Sequence, residues 1–218
     1  MKTDFNVLHR ELLTIAEVMI LRDGLDNFSL PKLAKESPVA LGTLYKHFSN
    51  VHDLLISIGC NRFLDVIARQ EYIVRCYSDV HDRLIIRCLL RVYLATQDHR
   101  IVIHRIVPHQ IEWSQVKTER ISYFNQLSSK IDSWNRTQLE SSTLEKGELE
   151  YYDFLLEYLT RGCLTSLEEV GSKDVKNRHI RVLTRSLQHI LQPLRTEFSC
   201  PVEEVFDRVK LAHRQYCL

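Results

Sequence analysis

Apolar residues recur at helical steps along almost the whole chain, and the interruptions mark where the helices stop. Leu12, Leu13, Ala16, Met19 and Ile20 line one side of a first helix that breaks at Asp23-Gly24. Ser29 suits the cap of a short second helix, since its hydroxyl accepts from a backbone N–H left unsatisfied in the first turn. A residue before proline is pushed out of the α region, so Ser37-Pro38 predicts that this helix ends by Glu36. The run Leu41 to Phe48 reads as a third helix, too short and too polar to be explained by packing alone. Leu44 and Phe48 lie four apart and face inward, Thr43, Lys46 and His47 project away, and Tyr45 sits at the margin. Hydroxyls, an imidazole and an ammonium around a phenol are groups that hold phosphate oxygens and base edges.

Beyond Val51 the pattern lengthens. Ile56, Cys60, Phe63, Ile67 and Val74 form one stripe, and a helix from His52 to Arg75 at roughly 1.5 Å per residue would span about 36 Å. Tyr77-Ser78-Asp79 reads as a break and cap before a helix through Leu84, Arg87-Cys88, Arg91-Val92 and Ala95. A short segment, Ile101 to Val107, stops at Pro108. Trp113, Val116, Phe124, Leu127, Ile131 and Trp134 follow as one long stripe in which Arg120 fills the missing register. The polar stretch Glu140 to Glu148 separates this from a helix over Leu149 to Val170 that is apolar nearly all round and needs burial from two sides. Asp174 to Leu194 carries Ile180, Leu183, Leu187, Ile190 and Leu194 as a clean stripe, and Val202 to Tyr216 is a last amphipathic helix. The fold class is all-α: a three-helix N-terminal head over 1–51 and a larger helical body over 52–218.

Composition narrows the chemistry. No apolar run approaches the ~18 residues that span a bilayer, and Met1-Lys2-Thr3-Asp4 opens no apolar signal segment, so a cytoplasmic protein away from membranes is expected. Six scattered cysteines without a Cys-x-x-Cys pair predict reduced thiols, no zinc site and no disulfide framework. His99, His104 and His109 turn about 140° per step on a helix and cannot share a face, so no metal and no cofactor are expected. Nucleophile elbows, phosphate-cradling glycine loops and dinucleotide fingerprints are missing, which argues against an enzyme. The net charge of +1 excludes coating of nucleic acid by bulk electrostatics. Over residues 1–55 six cations, Lys2, Arg10, Arg22, Lys32, Lys35 and Lys46, face seven anions, yet residues 28–48 hold Lys32, Lys35 and Lys46 against Glu36 alone.

Ala16, Gly24, Ser29, Leu33-Ala34, the run Gly42 to Phe48 and Leu54 together resemble the DNA-binding head of the tetracycline-repressor (TetR) family, whose third helix reads Gly-Thr-Leu-Tyr-x-His-Phe. The resemblance covers about a fifth of the chain. It implies that the third helix enters the major groove of a double-stranded DNA operator, with Ser29, Lys32, Leu41, Gly42, Thr43, Tyr45, Lys46 and His47 at the interface and Tyr45 and His47 on backbone phosphates. In the body it implies a cavity for a small-molecule effector, where Phe63, Tyr93, Trp113, Phe124 and Tyr158 would supply an apolar lining with polar tips. It also implies a homodimer through the two long C-terminal helices, with Leu159, Gly162, Leu183, Leu187 and Ile190 between subunits. Three positions depart from the family: Pro38 replaces the turn glycine, Ala40 the polar cap of the third helix, and Val51 a common phosphate-binding lysine. The expectation is a ligand-responsive transcriptional repressor released from DNA by an apolar or aromatic compound. The alternative left open by the three departures is a helical ligand-binding or protein-interaction module that has lost operator recognition.

Overall fold

The computed structural model describes residues 2–97, 111–140, 142, 144–168 and 173–194. The expected segment Ile101 to Val107, the histidines at 99, 104 and 109 and the helix Val202 to Tyr216 lie outside the described residues. Among the described residues there are helices and turns and no strand. The order is α1 (Lys2–Asp23), a 3-10 turn at Leu25–Asn27, α2 (Leu30–Glu36), α3 (Leu41–His47), α4 (Val51–Cys76), α5 (Val80–Gln97), a 3-10 turn at Trp113–Gln115, α6 (Thr118–Asp132), α7 (Trp134–Leu139), α8 (Lys146–Glu168), α9 (Lys173–Ile190) and a 3-10 turn at Gln192–Leu194.

Local chemistry sets most of these ends. Gly24 stops α1 at φ +79°, a left-handed conformation that only glycine adopts without strain, and its N–H returns to the Ile20 carbonyl at 3.0 Å. Ser29 Oγ accepts from the Lys32 N–H at 3.4 Å, with Pro31 in the first turn of α2 where a missing N–H costs nothing. The helix ends at Glu36, and Ser37 before the proline is extended at φ −110°, ψ 159°. The turn through Pro38 is built without a left-handed residue, since Gly24 alone has positive φ among the described residues. Ala40 offers no side-chain cap, so α3 starts only with backbone bonds from Thr43 and Leu44 to the Ala40 carbonyl.

The backbone divides into two compact units, Met1–Asp65 with His99–Ser129 and Val66–Asp98 with Lys130–Leu218. In the first, Leu12, Leu13, Ala16, Met19 and Ile20 of α1 meet Leu30, Leu33, Leu44, Phe48 and the start of α4 in one core, which Ile111 and Val116 also enter. In the second, α5 is buried on several sides by α7, α8 and α9, and Leu84, Cys88, Leu156, Leu183 and Leu187 are fully or almost fully buried.

Two stripes differ from expectation. The run from Trp113 to Trp134 is not one helix: Trp113 belongs to a 3-10 turn, Val116 is extended at φ −96°, and Ser133 separates α6 from α7. Val116 therefore reaches the core from a turn, and helical spacing to Phe124 was coincidental. On α4, Ile56, Cys60 and Ile67 are buried, but the last turns bury Gln70 and Ile73 and expose Val74. Successive steps of three from Ile67 to Gln70 and Ile73 each turn back by about 60°, so the buried face moves round the helix and leaves Val74, only about 20° from Ile67, outside it.

Candidate functional site

The surface of the head is built on α3. Leu44 and Phe48 are completely buried and anchor it, while Leu41, Gly42, Tyr45 and Lys46 are exposed and Thr43 is half-buried. A methyl group added at Gly42 would meet no atom within 4 Å, so another molecule can approach the α3 backbone closely there. Lys32 is exposed on α2 with its Nζ donating to the Asn27 carbonyl at 2.6 Å, and Ser29 is committed to capping.

His47 does not project outward as the sequence predicts. It is 3% exposed, with its Nδ1 3.3 Å from the Nδ1 of His9 on α1 and its ring stacked on that imidazole at 5.5 Å. Burial and then the Arg120 charge push the His47 pKa down, and burial, the Arg120 charge and His47 bring His9 down to about 4. Both rings are thus neutral near pH 7, where one Nδ1 can donate to the other. Helical rotation within the third helix predicts an outward His47, and the ring of His9, remote in sequence, takes it inward.

The group that the sequence hid in plain view is Arg120. It stands in the apolar register of α6, and its guanidinium binds four things at once: Nη2 donates to the His47 carbonyl at the end of α3 (2.7 Å), Nε pairs with Asp53 Oδ1 (2.9 Å), Nη1 donates to Ser57 Oγ, and the cation lies 6.0 Å from the Phe48 ring centre. Asp53 in turn accepts from the Ser49 N–H and hydroxyl at 3.1 and 2.7 Å. Two further bonds tie the same region: Asn50 Nδ2 to the Gln115 carbonyl (2.9 Å) and the Glu112 N–H to His52 Nδ1 (3.1 Å). The signal available in the sequence was a charge interrupting an apolar stripe.

These pairings also change the charge of the head. Asp53 and Glu17 are buried, neutralised by Arg120 and by Arg62, and Arg22 binds both Asp23 and Glu36 at 2.6 Å. Four of the seven anions counted over residues 1–55 are thereby engaged, while Lys35 and Lys46 stand exposed on α2 and α3.

The residues expected around an effector separate. Phe63, Phe124 and Trp113 pack together in the first unit, with ring centres 4.9 and 5.7 Å apart, and Phe124 lies so close to Gly59 that an added methyl would sit 3.0 Å from it. Tyr93 is half-buried on α5 in the second unit. Tyr158 is 69% exposed on α8, so it faces solvent instead of an interior.

The expected subunit contacts are also redistributed. Leu183 and Leu187 belong to the core of the second unit, because the apolar stripe of α9 turns toward α5 and α8 of its own chain. Leu159 and Ile190 are half-buried, and Gly162 is exposed with open space where its methyl would be. Among the described residues the most exposed large apolar side chains lie on α8, where Tyr151, Phe154 and Tyr158 are 63, 67 and 69% exposed at steps of three and four that continue to Gly162. A groove of about 660 Å³ runs beside it, lined by Tyr151, Tyr152, Leu155, His189 and Ile190 among others.

Among the described residues, no helix is long and apolar enough to cross a membrane. Cys60, Cys88 and Cys163 are free, and burial raises all three thiols, which makes them poor nucleophiles.

No family model matches the chain. A fatty acid metabolism regulator protein of Bacillus subtilis (strain 168) is 26% identical over 95 residues, which are 44% of this chain and about half, 49%, of that relative. Among solved structures, a TetR-family transcriptional regulator from Syntrophomonas wolfei superposes with a TM-score of 0.62 at 13% identity, covering 88% of this chain and 99% of its own. AmtR of Mycobacterium smegmatis superposes at 0.57 and 16% identity over 95 and 93%. The transcriptional regulator FadR of Bacillus subtilis, solved with stearoyl-CoA, superposes at 0.56 and 20% identity over 87 and 99%.

Proposed function

This chain is built on the fold of the TetR-family transcriptional regulators, and from that premise we propose that it is a homodimeric, ligand-responsive repressor acting in the cytoplasm on a double-stranded DNA operator. The observation that carries the reading is α3: seven residues seated on buried Leu44 and Phe48, with its outer side given to Leu41, Gly42, Thr43, Tyr45 and Lys46. In the major groove Leu41 would touch a thymine methyl, Gly42 would admit the backbone, and Tyr45, Lys46 and Lys32 would hold phosphates. His47 supports the end of the helix from inside, in place of the phosphate contact that the family pattern implies.

The effector is proposed to be a largely apolar compound bound by the body, a reading supported by the stearoyl-CoA held in FadR on the same fold. Its binding would shift α4 and change the separation of two recognition helices that must match half-sites one duplex turn, about 34 to 36 Å, apart. The dimer would form through α8 and α9, with the exposed aromatic stripe of α8 and Gly162 against the partner. Selection of genomic fragments by the purified protein tests the proposal: one enriched palindromic site is expected. Enrichment of none would sink it and favour the interaction module without operator recognition.

A further inference from the structure

The helix α5 carries Arg83, Arg87 and Arg91 at steps of four, and their partners are unequal. Arg91 pairs with the Glu157 carboxylate at 2.8 Å. Arg83 donates to the Tyr77 carbonyl at 2.6 Å and to Gln138 at 3.1 Å. Arg87, between them, has one neutral acceptor: its Nη1 donates to Asn135 Oδ1 at 2.7 Å, and its guanidinium lies 5.5 Å from the Trp134 ring centre. Its Nε is fully buried without an acceptor, and among the described residues Arg87 makes no ion pair. The carboxylates whose charge reaches it are already engaged, Glu157 by Arg91 and Arg161 and Asp153 by Arg136 at 4.0 Å. Burial works against the Arg87 cation, and the neighbouring Arg91 adds to that.

A buried guanidinium with no counter-ion is costly, and its cost falls when an oxyanion takes the donors left over. Here the leftover donors are Nε and Nη2, which form one edge of the planar fork and match two oxygens of a single carboxylate or phosphate side by side. Leu84 and Cys88 beside it on α5 are buried and apolar, as are Leu139 and Leu156 on the helices α7 and α8 that pack against α5, which suits a hydrocarbon or aromatic remainder. We infer that Arg87 is the binding residue for an oxyanion, a carboxylate or a phosphate, on an otherwise apolar effector, with the anion on the Nε–Nη2 edge and Asn135 holding Nη1 in place. The inference rests on the reading of the body as an effector-binding unit and does not depend on DNA binding.

The test uses the full chain and four probes with one tail, each below its micelle concentration: decanoate, decyl phosphate, decanol and decylamine. Thermal stabilisation and calorimetry should show binding of one or both anions, the better one naming the oxyanion, with the alcohol and the amine at least tenfold weaker. Arg87→Met should lose roughly ten- to hundredfold of the anion affinity, as expected for a charge-assisted pair, while the ligand-free variant melts no lower than the unmodified protein. Arg87→Lys should keep part of the anion preference through a single charge. Decanol binding as tightly as the anions, with Arg87→Met unaffected, would overturn the oxyanion assignment and leave the effector-binding body intact. Failure of all four probes to bind would overturn both. If Arg87→Met fails to fold, Arg87→Lys retaining the full anion affinity would equally exclude the fork.

Discussion

Tyr45 and His47 lie two residues apart on α3 and carry different burdens. The Tyr45 ring is half exposed and its hydroxyl is free to reach a phosphate, whereas His47 fills space against His9 and Phe48. Tyr45→Ala should leave melting nearly unchanged and weaken operator binding alike for all sequences, with the slope of log K against log salt unchanged, because a phenol hydroxyl holds a phosphate without neutralising it. His47→Ala should instead lower the stability of the head, on the order of 1 to 3 kcal/mol, as the loss of a buried, partnered ring does. Denaturant unfolding and binding titrations across salt separate the two. A His47→Ala protein that melts normally but binds every sequence more weakly would return His47 to the phosphate backbone.

At the scale of elements, the segment from Glu112 to Arg120 acts as a brace for the junction of α3 and α4. Its reach includes the last carbonyl of the recognition helix, the acid that caps the start of α4, and Asn50 and His52. A lysine has the charge of arginine without the planar fork, so it cannot satisfy Asp53, Ser57 and the His47 carbonyl together. Arg120→Lys should therefore fold and bind operator more weakly while the salt slope stays unchanged, because no phosphate contact is removed. Arg120→Gln should cost roughly 3 kcal/mol or more of stability, since it strands the buried Asp53 carboxylate. Equal operator affinity for Arg120→Lys and the unmodified protein would show that the brace has no part in presenting α3.

For the whole molecule the open question is what covers α8. Tyr151, Phe154 and Tyr158 form an exposed aromatic line, and stable subunit contacts bury apolar lines of this kind over more than ~1,200 Å² in total. Phe154→Glu should turn a dimer into a monomer in sedimentation velocity and abolish tight operator binding, since two heads are needed for two half-sites, while the subunit keeps its helical signal. Leu187→Glu should unfold the second unit, because Leu187 is completely buried within its own chain. A monomeric unmodified protein at micromolar concentration would refute the dimer and weaken the regulator reading with it.

What the sequence determined by itself is whatever depends on neighbours along the chain. The stops at Gly24 and Ser37, the cap at Ser29, the poor cap at Ala40 and the inward faces of α1 and α3 all follow from φ preference, a hydroxyl beside an N–H, or a period of 3.6. Tertiary structure decided which of two plausible faces was covered. Periodicity puts Leu187 on the apolar stripe of α9 without saying whether its own chain or a partner covers it, and it cannot choose among the apolar sides of α8, so only the packing of α5, α7, α8 and α9 settles that Leu187 is core within its own chain and Tyr158 surface. The same holds for charge: the anions of the head count as free in a tally, but Arg62 and Arg120, remote in sequence, neutralise two of them, because an ion pair depends on distance in space and not along the chain.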